Sequence, residues 1–156
     1  MTDATPPVLG GLLTTALTDP KLKGLVTHVG DEHLHITGID QSRSWAAGAI
    51  ARETPLLLVT ATGHEAEDLT AELKAILGEE KVAHFPAYET LPHERLSPAA
   101  DIVGRRSKVL WEMPQVIVAA ARALARMSAA PAGFTSIVLP GVQACTSAFR
   151  NDGGRP

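Results

Sequence analysis

Cysteine is nearly absent from this chain of 156 residues. The single Cys145 excludes an intramolecular disulfide framework and a cysteine-rich zinc site. No stretch approaches the roughly 20 apolar residues of a membrane span, and the first residues lack the basic and apolar segments of a secretory signal. We therefore expect a cytoplasmic protein that has no membrane partner.

The chain also lacks an excess of positive charge. Its net charge of −3 and pI of about 6.0 give no whole-chain argument for electrostatic capture of nucleic acid or acidic membranes. Residues 1–112 carry 10 basic and 16 acidic side chains, a net charge of −6, whereas residues 113–156 carry four Arg and one Asp, a net charge of +3. This change of charge makes a domain boundary near residue 113 a candidate. Because 45% of the residues are hydrophobic, a folded core is expected.

Strand and helix patterns alternate along the chain. Residues 56–60 form a continuous apolar run, typical of a parallel strand covered on both faces. Thr62 and Glu65 form a candidate capping box for the clearest helix, which Gly78 ends. Other strands are predicted at 33–37, 81–85, 115–119 and 136–139, and other helices at 8–18 (ended by Asp19-Pro20), 42–52 and 101–111. This order predicts a three-layer α/β domain with a parallel sheet and right-handed crossovers.

The loop that begins at Gly38 occupies the place where nucleotide-binding sheets hold phosphate. In a working P-loop, G-x-x-x-x-G-K-[ST], the lysine neutralises phosphate and the hydroxyl binds Mg²⁺. Here Arg43 replaces the second glycine, Ser44 replaces the lysine and Trp45 replaces the hydroxyl residue. We therefore interpret the loop as a degenerate Walker A motif, and expect this chain to bind no cofactor and to catalyse no reaction.

Two histidines on the strand predicted at 33–37 could chelate a metal from the same face. His33 and His35 are two residues apart, but no third ligand has an evident spacing. Half-exposed strand histidines beside acidic residues are the more ordinary interpretation, and we predict no metal site.

A long loop rich in proline and charge follows the strand predicted at 81–85. Its Glu89, His93 and Glu94 could include an acid and a base, yet no activated nucleophile or oxyanion hole can be placed with them. A docking or hinge role is therefore favoured over catalysis. We take Glu89 and His93 as interaction candidates.

Three basic residues follow Gly104 on the helix predicted at 101–111. Arg105, Arg106 and Lys108 could contact phosphate or an acidic partner, or could simply form a solvated helix face. Arg105 and Lys108 can lie together, whereas Arg106 points elsewhere. Arg105 and Arg106 complete the set of interaction candidates.

One long segment has an idiosyncratic sequence. Residues 85–113, FPAYETLPHERLSPAADIVGRRSKVLWEM, closely resemble a segment of the bacterial transcription-repair coupling factors (Mfd). Flanking segments also resemble the same region of that family. They are DPKLKGL at 19–25, PLLLVTAT at 55–62 and PQVIVA at 114–119. The resemblance covers about residues 8–124.

The resemblance implies the N-terminal part of a large, multidomain, ATP-dependent DNA translocase. Such a protein displaces stalled RNA polymerase and recruits UvrA for nucleotide excision repair. Its N-terminal part is similar to the first domain of UvrB and carries a degenerate P-loop. The resemblance therefore implies a three-layer parallel sheet of the P-loop NTPase type. ATP and Mg²⁺ are implied for the full-length family, whose ATPase motifs and polymerase-binding module lie outside this chain. The UvrA-binding surface begins about where this sequence departs from the family, so no UvrA contact residue is transferred.

The expected organisation has three parts: an N-terminal helix and connector (1–32), a UvrB-like α/β domain (33–124) and a divergent, poorly ordered tail (125–156). The Ala-rich, aperiodic tail favours a truncated or frame-shifted product, or a gene fragment. Two other functions stay open, namely a nucleotide-binding enzyme with an unusual loop and a free-standing domain that interacts with UvrA or DNA.

Overall fold

The computed structural model describes residues 7–29, 42–88, 99–124 and 133–139. The strands in these ranges are β1 (Leu56–Thr60), β2 (Val82–Phe85), β3 (Val116–Ala120) and β4 (Thr135–Val138). The helices are α1 (Gly10–Ala16), α2 (Pro20–Thr27), α3 (Arg43–Ala51), α4 (Gly63–Leu77), α5 (Ala100–Glu112) and α6 (Ala121–Leu124), with a 3₁₀ turn at Glu79–Lys81. All the strand pairs are parallel, in the order β2-β3-β1-β4, which confirms the predicted α/β class and parallel sheet.

The central strand β1 is buried along its whole length. It pairs with β3 on one side and with β4 on the other, so that Leu58 lies opposite both Val118 and Ile137. Because successive side chains of a strand point to opposite faces, β1 needs an apolar layer on each side of the sheet. The continuous run of apolar residues at 56–60 meets this need.

Helices α1, α3 and α4 cover one face of the sheet. Leu13, Ile50 and Leu73 pack there with Leu56 and Leu58 in one hydrophobic cluster. At Gly48, α3 comes so close to α4 that an added Cβ would lie 3.2 Å from Cγ2 of Ile76. These helices therefore form a tightly packed outer layer.

Helices α5 and α6 cover the opposite face. Val109 and Leu124 pack there in a second cluster with Leu57, Phe85 and Ile117. The two clusters use alternate residues of the same strands, so the sheet lies between two helical layers. Three layers were expected from the order of the elements, and the structure has them.

The capping box of α4 is confirmed, and so is its end at Gly78. The Thr62 side chain accepts a hydrogen bond from the Glu65 backbone N–H (3.2 Å), and the Glu65 carboxylate accepts one from the Thr62 backbone N–H (3.2 Å). Gly78 follows the helix with φ +105°, a backbone conformation that favours glycine.

The expectation for Asp19-Pro20 was incomplete. The first helix already ends at Ala16, and Asp19 is the N-cap of the unpredicted helix α2. Its carboxylate accepts a hydrogen bond from the Lys21 backbone N–H at 2.7 Å, and Pro20 is the first helical residue. A residue pair that stops one helix can thus begin the next, because an Asp cap followed by proline favours a helix start.

Some predictions cannot be compared with the structure. The strand predicted at 33–37 and the loop residue Gly38 lie outside the described residues. Within the segment expected to be a poorly ordered tail, Thr135–Val138 forms strand β4, which overlaps the strand predicted at 136–139 and pairs with β1. The strand arrangement is compatible with a P-loop-like or a Rossmann-like α/β fold. The domain limits, the P-loop type and the relation to UvrB therefore stay predictions. Among the helices of the described ranges, none has the length and apolar character to cross a membrane.

Helix α5 ends on a residue in the left-handed region of backbone conformation. Met113 has φ +44° and ψ +61°, and its backbone N–H donates to the Val109 carbonyl at 3.0 Å. This conformation costs a residue with a Cβ about 1–2 kcal/mol, whereas glycine adopts it freely. The helix end therefore carries a local strain that its sequence does not relieve.

We expect Met113→Gly to raise the free energy of unfolding by about 0.5–1 kcal/mol, because relief of the strain exceeds the extra flexibility that glycine gives the unfolded chain. Met113→Ala is the matched control, since it removes the half-exposed side chain and keeps the strain. Urea denaturation measures both variants. A glycine variant less stable than the alanine variant would contradict this account.

Candidate site at the carboxyl edge of the sheet

The carboxyl ends of the two central strands lie side by side. Thr60, the last residue of β1, pairs in register with Ala120, the last residue of β3. Open parallel sheets bind their ligands outside this edge, where the loops that follow the strands meet. Helices α4 and α6 both begin here, so this edge is the place to look for a functional site.

The three described residues of the degenerate phosphate loop lie in the first turn of α3. Ser44, at the lysine position, is buried with 4% of its surface exposed. Trp45, at the position of the magnesium-binding hydroxyl, is half-buried and packs against the hydrophobic cluster of Leu56 and Leu58. Both positions therefore contribute to packing in this structure.

Arg43, at the position of the second glycine, lies near the start of α4. Its guanidinium is 3.9 Å from the carboxylate of Glu65, and both side chains are about one-third exposed. The same carboxylate serves the capping box of α4. A negative charge at a helix N-terminus is favourable, so Glu65 interacts with both the arginine and the helix dipole.

A second guanidinium lies close to the start of α4. Nη2 of Arg122, in α6, is 3.5 Å from the point where a Cβ on Gly63 would lie. Arg122 was not singled out from the sequence, and only its position just after a predicted strand could have indicated it. Arg43 and Arg122 thus flank the first turn of α4, and the Glu65 carboxylate already lies beside Arg43.

The basic residues of α5 separate into two groups, as their spacing predicted. Arg105 is exposed and forms an ion pair with Asp101, and Lys108 lies 3.8 Å from Glu112. These pairs occupy the solvated side of the helix, where isolated ion pairs contribute little to stability. A role for Arg105 in partner binding stays a prediction.

Arg106 faces the interior instead of a solvated surface, and only 6% of it is exposed. Its Nη1 donates hydrogen bonds to the carbonyls of Pro86 (2.7 Å) and Ala123 (3.2 Å). A partner could reach Arg106 only by displacing these contacts. Ile102, Arg106 and Val109 are four and three residues apart, which places all three on the buried face of α5. This spacing could have indicated from the sequence that Arg106 is buried.

Other candidates from the sequence lie outside the described residues, namely Glu89, His93, His33 and His35. Their roles stay predictions. Within the four described ranges, no group of three or more His, Cys, Asp or Glu residues could hold a metal ion.

One titratable residue with an altered environment was not predicted from the sequence. His84 is half-buried on β2, and burial lowers its pKa below the ordinary value of 6.5. The charge of Glu67 opposes this shift, and that of Arg105 adds to it. The alternation of the strand places His84 on the same face as Val82, which points into the core.

Comparison with known proteins gives one clear similarity. No family model matches the chain. It is 45% identical over 104 residues to the transcription-repair-coupling factors of Mycobacterium bovis and Mycobacterium tuberculosis. The resemblance to transcription-repair coupling factors is confirmed. The match includes 65% of this chain and 8% of each mycobacterial protein, so the matched region is a small part of those relatives.

We expect Thr62→Ala to lower the free energy of unfolding by about 1 kcal/mol, because it removes the acceptor that satisfies the Glu65 backbone N–H. Arg43→Ala should lower it by less than about 0.5 kcal/mol, since the ion pair is long and partly exposed. Chemical denaturation of both variants tests this ranking. A larger loss in the Arg43 variant would show that the ion pair, and not the cap, stabilises this edge.

We expect acidification to weaken the fold through His84. The unfolded chain takes up a proton near pH 6.5, whereas the folded chain takes it up at a lower pH. Above pH 6.5, His84 is neutral in both states and does not reduce the free energy of unfolding. As the pH falls from 6.5 toward the lowered pKa, only the unfolded chain takes up the proton, so the free energy of unfolding decreases.

Denaturation midpoints at about pH 7 and pH 5 should thus differ less in His84→Gln than in the parent chain. His64→Gln is the matched control, because it makes the same substitution at a histidine whose side chain is 84% exposed. Equal pH dependence in the parent and the His84 variant would rule out this role.

Proposed function

We propose that this chain is a non-catalytic, UvrB-like α/β module from the N-terminal region of a transcription-repair coupling factor. The 45% identity over 104 residues to two such proteins supports this assignment. The matched region is 8% of the length of those proteins, so we take this chain as one module of a much larger protein.

The burial of Ser44 and the packing of Trp45 carry the non-catalytic part of the proposal. A phosphate cradle needs a lysine that reaches the phosphates and a hydroxyl that binds Mg²⁺. The serine is inside the fold, and the indole packs against the core. ATP and Mg²⁺ therefore act elsewhere in the full-length protein, and this module binds neither.

The module acts as a scaffold in that larger protein. Its two-faced sheet gives a rigid platform from which an adjoining domain recruits UvrA, and its surfaces pack against other modules of the resting protein. DNA translocation and the displacement of stalled RNA polymerase belong to other domains. The whole protein works on DNA in the cytoplasm.

We expect thermal melting of the chain to be unchanged by Mg-ATP. A nucleotide that binds the folded chain and is present at a free concentration of 100 times its Kd would add about 2.7 kcal/mol to the free energy of unfolding. This corresponds to a rise of several degrees in Tm. A P-loop ATPase measured in the same plate provides the positive control. A saturable rise in Tm with Mg-ATP would support the nucleotide-binding enzyme instead.

A parallel titration with purified UvrA and with duplex DNA addresses the third alternative. The scaffold proposal expects no saturable binding by this chain alone, because the UvrA-binding surface belongs to the adjoining domain. Binding of UvrA that Arg105→Ala weakens would instead indicate a free-standing interaction domain. Any DNA binding should weaken steeply with added salt if phosphate contacts cause it.

A further inference from the structure

The buried guanidinium of Arg106 joins three parts of the chain that are distant in sequence. Through its hydrogen bonds to the Pro86 and Ala123 carbonyls, α5 is connected to the exit of β2 and to α6. Its Cζ also lies over two aromatic rings, 4.0 Å from the ring centroid of Phe85 and 4.1 Å from that of Tyr88. Contacts of all these kinds converge on one side chain.

A buried cation is retained only where its surroundings replace the lost water. Guanidinium groups are suited to this because they donate hydrogen bonds in the plane and stack on aromatic rings above it. Both kinds of contact are present at Arg106, and two of the partners belong to the stretch 86–88. This stretch has left the sheet, because the ladder between β2 and β3 ends at Phe85.

The contacts of Arg106 therefore differ in kind from those that stabilise the sheet. The sheet is stabilised by its ladders and by the two hydrophobic clusters. Arg106 touches the second cluster at the Phe85 ring and the Ala123 carbonyl, and it reaches beyond that cluster to Pro86 and Tyr88. Pro86 lacks a backbone N–H, so it cannot donate to a strand ladder. The side chain of Arg106 fixes the direction in which the chain leaves β2.

We propose that Arg106 is a latch, a positioning residue that holds residues 86–88 against α5 and α6. Its release frees this stretch while the sheet and its two helical layers stay folded. This inference does not depend on the family assignment or on the scaffold role.

Nuclear magnetic resonance relaxation of the full chain can separate local release from general destabilisation. In the parent chain, the backbone amides of Ala87 and Tyr88 should have order parameters near 0.85, as in a rigid backbone. In Arg106→Met we expect these values to fall below about 0.6, while the methyl signals of Leu58 and Val118 keep their chemical shifts. Tyr88 is the single tyrosine of the chain, so its ring signals are identified without ambiguity.

Arg105→Met is the matched control, because it removes an arginine from the exposed side of the same helix. It should leave the order parameters of Ala87 and Tyr88 unchanged. Unchanged order at these two residues in Arg106→Met would overturn the proposal. Simultaneous changes at Tyr88 and in the core methyl groups would overturn it too, because Arg106 would then stabilise the whole fold.

Two milder variants decide the question if Arg106→Met does not fold. Arg106→Lys keeps the charge but loses the planar group, and Tyr88→Leu removes one ring and leaves the hydrogen bonds of Arg106 in place. Loosening at Ala87 with an intact core in both variants supports the latch. Rigid Ala87 in both variants overturns it.

Discussion

The burial of β1 on both faces is the constraint on which the rest of this structure depends. A strand without a polar face must be covered by helices on both sides of its sheet, and parallel neighbours need helical crossovers that supply them. Helices α3 and α4 meet this need on one face, and α5 and α6 meet it on the other. The same arrangement brings the ends of β1 and β3 together and places the first turns of α4 and α6 at one edge.

Elements with a strong local signal could be predicted from the sequence. The apolar run at 56–60 and the capping box of Thr62 and Glu65 need only neighbouring residues to be recognised, and the structure has both. The short helix α2 was missed because Asp19-Pro20 indicates a helix end as readily as a helix start, and only the first of these was predicted. Arg106 was assigned to a partner-binding surface because its residue type outweighed its position on the apolar face of α5.

The candidate site was predictable in its chemistry but not in its contacts. The residue types at 43–45 alone argue against a phosphate cradle. The pair of Arg43 with Glu65 and the position of Arg122 over Gly63 depend on how separate helices meet, which no local pattern encodes. The interior position of Arg106 likewise depends on two carbonyls that are 17 and 20 residues away in sequence. Long-range packing of this kind becomes visible only when the layers are assembled.

The packing of Trp45 against the core and the close approach at Gly48 limit which residues the start of α3 can accept. A threonine in place of Trp45 would leave a gap beside the core, and a lysine in place of Ser44 would bring an ammonium group to a buried position. The close approach at Gly48 leaves little freedom for α3 to shift and accommodate either change. Either substitution toward a nucleotide-binding sequence would therefore lower the stability of the fold. The packing of α3 makes the residue types at 44 and 45 part of the core, and not only of the loop that precedes it.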